Sequence, residues 1–357
     1  MDLLQLLYSI PILGIVFQFV GYVVDIFPSI APFILRGATP IAFAAMCGVL
    51  CERSGVVNIG IEGIMLVAAF VGWYAGALAV PLLGSVPVLA FGISAPMIVA
   101  LLAAVAVGMV ISLVHAWLSI TVRADQIISG TIINIAALGV TSYLLNLVAT
   151  TSARGAGLFV PFAAPTALTD LPLVGWIFGM FLNQGPITLS LLFIAIVFQV
   201  LLFRSRWGLR TRAVGEHPRA AETVGIDVMW VRYRNVVLGG GLAALGGAYL
   251  TMESINSFQF NMTAGRGFIG LAAMIVGRWS PLGALGAALL FASTQAVGRS
   301  IGIYPATGEL GVVLRAIPGQ VFDALPYLVT IIVLAGVVGR SIPPAADGQP
   351  YERESAT

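Results

Sequence analysis

Asn58 and Glu62 stand four residues apart in SGVVNIGIEGIM (54–65), a polar, glycine-rich stretch between two strongly apolar runs, IAFAAMCGVLC (41–51) and MLVAAFVGWYAGALAV (65–80). A carboxylate this close to hydrocarbon is costly and marks a candidate functional site. Polar backbone at that depth is tolerated only where protein packs around it or a water-filled cavity reaches it. Two roles are open to Glu62: it borders a pathway through the membrane, or it caps the half-helix that follows, where the N-terminal dipole stabilises an anion. Asn58 faces the same choice between pathway and structure. Phe258, Phe260 and Asn261 form a second group. Two rings and an amide can stack on and hydrogen-bond a ring-shaped polar solute, and the rings equally suit an aromatic belt. This group lies in a second glycine-rich break, 251–267, which also holds Glu253 and Asn256 and echoes the first break at 52–63. Interrupted apolar segments at corresponding places in two halves point to a transport site.

A third group sits in FRSRWGLRTRAVGEHPRAAETVGIDVMWVRYRNVV (203–237), where the loop 204–234 carries seven arginines. Pro218 suits the first turn of a short helix and Gly225 its end, so 218–224 is expected to form two helical turns presenting Ala220 and Ala221. Such a helix, between Glu216–His217 and Gly225, could dock into an ATPase subunit, and the flanking arginines could meet lipid phosphates. A basic loop that serves only membrane orientation has the same composition. In GRGFIGLAAMIVGRWSPLGALGAALLF (265–291) the glycines and alanines offer small faces for close helix packing, and Arg278-Trp279 reads as an interfacial anchor.

Other chemistries lack their residues. All 17 basic residues are arginine. A Walker A loop needs its lysine on the phosphates, so any ATP that drives this chain must be hydrolysed by another subunit. His115 and His217 are far apart and no metal-ligand spacing occurs. No histidine or acid pair stands at catalytic spacing inside a membrane segment, which argues against an intramembrane enzyme. Cys47 and Cys51 share one helix face and read as packed small hydrophobes. No catalytic residue, metal or bound cofactor is expected, and nothing points to nucleic acid.

The elements that position these residues are membrane helices. The chain of 357 residues is 59% hydrophobic and only 9% charged, with a mean hydropathy of +1.02, against about 25% charged residues in soluble domains. The expected fold is an all-α integral membrane bundle of about ten segments: 7–27, 34–50, 63–80, 96–120, 127–149, 187–203, 236–250, 267–277, 282–298 and 327–339. The eighth is far short of the ~20 residues that span a bilayer and reads as a half-helix or re-entrant piece; if it does not cross, nine segments remain and the C-terminus flips, against which Arg340 just after the last segment argues. With both termini cytoplasmic, twelve arginines fall inside and five outside, as the positive-inside rule asks. The loop 150–186 is then external. Residues 1–340 make one membrane domain, and the Pro-rich polar tail 341–357 is expected to be disordered.

Three stretches, SGVVNIGIEGIMLVAAFVG, AVGEHPRAAETVGIDV and NMTAGRGFIGLAAMIVGRWSPLGALGAALLF, together resemble the membrane permeases of ABC importers that serve branched-chain amino acids, ribose-type sugars and nucleosides. The NIGIEG form with GRGFIGLAAMIVGRW is most similar to the nucleoside branch; the Asp-Leu-Ser-type motif of the sugar branch is missing. The resemblance covers roughly 38–327. It implies a type II-like importer permease bundle in a bacterial inner membrane, paired with an identical or paralogous second permease. It further implies ATP-binding subunits on the cytoplasmic face, reached through 216–225, and a substrate-binding protein outside. An ion-coupled secondary transporter using Glu62 and Glu253 is the reading from another class; sugars or branched-chain amino acids are the alternative solutes within the family.

Overall fold

A computed structural model of the chain describes residues 11–148, 155–172, 174–332 and 341–352. Among them every regular element is helical. Besides the short turns Ala90–Gly92 and Thr166–Thr169, they are in chain order α1 (Pro11–Glu52), α2 (Ile61–Leu83), α3 (Ala95–Ala116), α4 (Gln126–Val148), α5 (Gly175–Leu182), α6 (Pro186–Arg204), α7 (Arg206–Glu216), α8 (Pro218–Thr223), α9 (Val228–Tyr249), α10 (Arg266–Val276), α11 (Pro281–Ile303), α12 (Gly308–Ala316) and α13 (Gly319–Ile332). Five-residue π-turns, Trp117–Thr121 and Leu250–Ser254, extend α3 and α9. Among the described residues seven helices are long and apolar enough to cross a membrane, and α10 is a shorter apolar helix. The chain is a multi-pass membrane protein.

Most expected segments are helices here, with three differences. The first two are one helix: α1 runs unbroken for 42 residues, about twice the length of a simple span. Only Pro28, Ser29 and Pro32 punctuate the junction, and membrane helices tolerate proline where surrounding groups re-satisfy the freed carbonyls. Helix α9 begins at Val228, eight residues before the expected start at 236, so Arg232 and Arg234 are helical. The last segment begins within α13, and its remainder, 333–339, lies outside the described residues, as do Arg154, Arg340 and Arg353.

The chain divides into two compact units. One comprises Met1–Ala38, Ala163–Gln184 and Leu289–Val337. Within it the Arg36 guanidinium donates to Gln184 Oε1 at 3.1 Å and to the Asn183 carbonyl at 2.8 Å, and Phe27 meets Trp176 edge-on at 5.2 Å.

The other unit comprises Thr39–Phe162, Gly185–Ala288 and Val338–Thr357. Helices α2, α3 and α9 pack on one another, with α4 along α2. Glycine sets how closely they approach. A Cβ at Gly240 would fall 2.0 Å from Ser112 Oγ, and one at Gly247 would fall 2.2 Å from the Met65 carbonyl. Small residues at crossings are how membrane helices gain van der Waals contact. The opposite surface is apolar, with Ile128, Ile132, Ile135 and Leu147 of α4 exposed.

Helix starts fall into two kinds. Asp125, Ser205 and Asp227 cap α4, α7 and α9 locally, their oxygens accepting from Ile127 and Ile128, Gly208 and Trp230 amides at 2.8–3.2 Å, as N-cap residues do. Helices α2, α6 and α10 instead receive side chains from distant parts of the chain.

Of the tail expected to be disordered, residues 341–352 pack against protein here, and 353–357 lie outside the described residues. Residues 341–352 run along this unit: the Ala346 amide donates to the Gly215 carbonyl at 2.9 Å, Arg232 Nη1 to the Gln349 carbonyl at 2.9 Å, and Tyr351 is buried with Val214, Ala221, Val228 and Val231. One aromatic side chain fills that hydrophobic site, which the polar composition of the tail concealed.

Candidate functional site

The loop between α1 and α2 carries the first motif and is buried, with Ser54, Val56 and Asn58 fully inaccessible. Its backbone groups are satisfied by side chains of α3 and α4. The Val57 amide donates to Gln126 Oε1 at 2.7 Å. His115 Nε2 meets the Val57 carbonyl at 3.0 Å, its Nδ1 meeting Ser129 Oγ at 3.0 Å. Asn134 bridges the turn, donating to the Ile59 carbonyl at 3.0 Å and accepting from the Gly63 amide at 2.8 Å. Irregular backbone at membrane depth requires this kind of enclosure. Asn58 belongs to the same enclosure: its Oδ1 accepts from the Gly60 amide at 3.0 Å.

Glu62 reaches across the sequence. Its Oε1 accepts from the Gly265 amide at 2.7 Å and its Oε2 from the Gly267 amide at 2.6 Å. Both groups belong to the start of α10, so the carboxylate caps a half-helix about two hundred residues away and not its own helix. An anion suits the free amides and positive pole of a helix N-terminus. Gly267 admits it, since a Cβ there would lie 2.7 Å from Glu62 Cα and Oε2. Glu253 does the same for α6: its Oε2 accepts from the Ile187 amide at 2.8 Å, and Thr188 Oγ1 donates to its Oε1. A Cβ at Gly185 would stand 2.3 Å from Glu253 Cδ. The two breaks that echo one another in sequence thus share a device, an acid holding a remote helix start beside a glycine.

Phe258, Phe260 and Asn261 precede α10 and part company. Phe258 is buried edge-on against Phe70 at 5.1 Å and beside Trp73 at 6.3 Å. Phe260 is 64% exposed, and Asn261 is exposed with φ +50°. Ala264 (φ +46°) and Gly265 (φ +81°) follow in the same left-handed region, where a residue with a Cβ is strained; such strain concentrates at functional sites. Two buried donors here, Trp73 Nε1 and Thr263 Oγ1, have no hydrogen-bond partner among the described residues, a state that most buried polar groups avoid.

The far end of α10 is held by the same loop. Arg53 Nε donates to the Trp279 carbonyl at 2.9 Å and Nη2 to the Arg278 carbonyl at 3.2 Å. Trp279 is buried, and its Nε1 donates to Glu52 Oε2 at 2.6 Å, so the expected interfacial anchor is an internal clasp. Arg53 therefore places a cation on the turn that follows α10, and Glu62, just past the loop, places an anion on the N-terminal amides of α10, both in the sense of the helix dipole.

Arg53 also approaches the third motif, with Nη1 3.9 Å from Glu216 Oε1. A Cβ at Gly215 would lie 2.3 Å from the Arg53 carbonyl oxygen. The short helix forms as expected over Pro218–Thr223, with His217 ahead of it and Pro218 in its first turn. It ends where the Gly225 amide (φ +82°) donates to the Glu222 carbonyl. Ala220 and His217 are exposed. Ala221 is buried at 3% exposure, so the expectation that both alanines are presented holds only for Ala220. Arg204, Arg206, Arg210 and Arg219 are exposed, but two of the seven arginines turn inward: Arg232 is 1% exposed, and Arg234 stacks over Trp207 at 4.8 Å. Their planar guanidinium groups suit such stacking and are not free for lipid.

Residues 30–334 match the family described as "Branched-chain amino acid transport system / permease component". The chain belongs to this permease family. Among its relatives, the "Guanosine ABC transporter permease protein NupQ" of Bacillus subtilis is 38% identical over 331 residues, 92% of this chain and 98% of the relative. The "Nucleoside ABC transporter permease protein NupC" of Lactococcus lactis is 34% identical, covering 88% of this chain and 93% of that one. The "Putative glucose ABC transporter permease protein TsgC13" of Haloferax volcanii is 32% identical, covering 90% and 96%. No solved structure matches the chain.

In this permease the loop and the half-helix of the family-like motifs clasp each other. Reasoning from sequence found the acid, the amide and the short helix but missed His115, Gln126 and Asn134 as partners of the loop. Their signal was present: each is a polar side chain inside or at the edge of an apolar helix, and such groups face protein.

Proposed function

We propose that this chain is the membrane-spanning subunit of an ATP-driven importer for nucleosides in a bacterial inner membrane. The observation that carries the substrate class is the near full-length similarity to permeases named for guanosine and for nucleosides. The chain works with ATP-binding subunits, a second permease and a substrate-binding protein, and both its termini lie on the cytoplasmic side. Closure of the ATP-binding subunits moves α8 through exposed His217 and Ala220. The contact of Glu216 with Arg53 passes that motion to α10, and Glu62 ties α10 to α2. Phe260 and Asn261 meet the solute. Asn58, Glu62 and Phe258 hold the backbone behind them, and the unpartnered donors of Trp73 and Thr263 are available to a polar ring during passage. Ion-coupled transport is disfavoured because Glu62 and Glu253, its candidate carboxylates, are both engaged by helix amides.

Uptake of labelled guanosine, competed with ribose and leucine, in cells with and without this permease tests the reading. Loss of ATP-dependent guanosine uptake on deletion is expected. The similarity to the glucose relative favours sugar as the second reading, and selective loss of sugar uptake would move the substrate there. Uptake that survives loss of the ATP-binding subunits but collapses with the ion gradient would overturn both.

A further inference from the structure

The residues beyond 341 do more than fill a hydrophobic site. They cross from the end of α10, where Ser341 Oγ donates to the Ile275 carbonyl at 3.0 Å, to the end of α7 just before α8, where the Ala345 amide donates to Glu216 Oε2 at 3.1 Å. Beyond that the Tyr351 hydroxyl donates to Glu222, and Arg123 pairs with Glu352. Between this strand of tail and α8 lies a cleft of about 680 Å³. One wall offers His217, Arg219 and Ala220, the other Ala345, Gln349 and Pro350. The side chains of Ala220, Ala345, Gln349 and Pro350 are exposed.

We infer that residues 341–352 form the second wall of the groove that receives the ATP-binding subunit, so that this subunit grips α8 and the tail together. The inference rests on the reading of α8 as the ATPase-contacting helix. Three observations carry it. The cleft is continuous with the exposed face of α8, so a partner seated on Ala220 meets the tail. Its lining mixes guanidinium groups, carboxylates, an imidazole, an amide and small apolar groups, as suits a soluble partner and not lipid tails. The tail is also bonded to both α8 and α10, which makes it a second connection, besides Arg53, between the docking helix and the half-helix.

The test compares two surface variants of the full-length permease purified from native membranes, with co-purifying ATP-binding subunits scored by 8-azido-ATP labelling. Truncation is avoided because Tyr351 sits in a hydrophobic cluster. Ala345→Arg with Pro350→Arg places two charges in the cleft from the tail side; Ala220→Arg places one from the helix side. All of these side chains are exposed, so membrane level and unfolding midpoint should match wild type. The expected result is an at least tenfold drop in labelled subunit for both variants. Loss with Ala220→Arg but retention within twofold for the tail variant would overturn the inference while leaving α8 as the docking helix. Retention with Ala220→Arg would remove the docking reading itself, and the tail inference with it.

Discussion

Glu62 shows how much one side chain can organise when its partners have no access to water. Each oxygen takes one amide of the start of α10, and hydrogen bonds to charged groups contribute about 1.5–3 kcal/mol. Glu62→Gln replaces an acceptor with an NH₂ that faces an N–H, so it should lower stability by roughly 2 kcal/mol, read as a shift in chemical unfolding of the detergent-purified protein. An unchanged midpoint would mean that the cap is dispensable. Gly267→Ala should do comparable harm, because its Cβ would lie 2.7 Å from Glu62. The sequence made Glu62 conspicuous, since an acid between apolar runs needs a reason. It could not name the partner, because capping contacts across two hundred residues leave no local pattern. Ala220 and Ala221 were indistinguishable for a similar reason: a methyl group suits a surface and a core alike, and only the register of the six-residue α8 separates them.

At the scale of elements, α10 is a short helix whose start is held by Glu62 and whose following turn is held by Arg53. Its eleven residues cannot span a bilayer, so both sets of free backbone groups need partners within the protein. Glu62 takes two of the free amides; at the other end the Gly277, Arg278 and Trp279 amides return to the Ala273, Ile275 and Met274 carbonyls, and Arg53 holds that turn through the Arg278 and Trp279 carbonyls. Because both contacts anchor the same short helix, Arg53→Ala and Glu62→Gln should be non-additive in a double-mutant cycle. Distant independent sites add within about 0.5 kcal/mol, and a sum that close would show the two poles to be independent. The shortness of α10 was legible from its apolar run of eleven residues, whereas the continuity of α1 across Pro28 and Pro32 was not, since membrane helices tolerate proline where their surroundings re-satisfy the backbone. Close helix approach was legible at Gly277 and Gly283, where a Cβ would fall 2.2 and 2.3 Å from backbone, but not at Gly240 and Gly247 of α9, which are as tight at 2.0 and 2.2 Å.

For the molecule as a whole, the tail makes docking sensitive to pH. Burial pushes the Asp347 carboxyl from 3.8 up to about 6, against hydrogen bonds from Glu52 and the Gly348 amide and the nearby Arg232 guanidinium. A carboxyl whose pKa rises on docking binds its proton more strongly in the docked form. Docking is therefore favoured fully below the lower value, weakens as pH climbs between the two, and stays weakest above the higher one. Amide exchange of 341–352, corrected for intrinsic rates, should show more protection at pH 5 than at pH 7.5, and Asp347→Asn should flatten the difference. Equal protection in the unmodified chain would exclude Asp347 as the controlling group. The clasp around α10 has a further consequence, for where this protein can gain or lose residues. With a rise of about 1.5 Å and a turn of roughly 100° per residue, a one-residue deletion inside α10 would pull one pole away from its charge and rotate the other. Only a matching change in the loop 53–62 could restore both. Insertions can be absorbed in the exposed stretch near Val86–Leu89, whereas these two segments, far apart in the gene, have to keep their lengths in step.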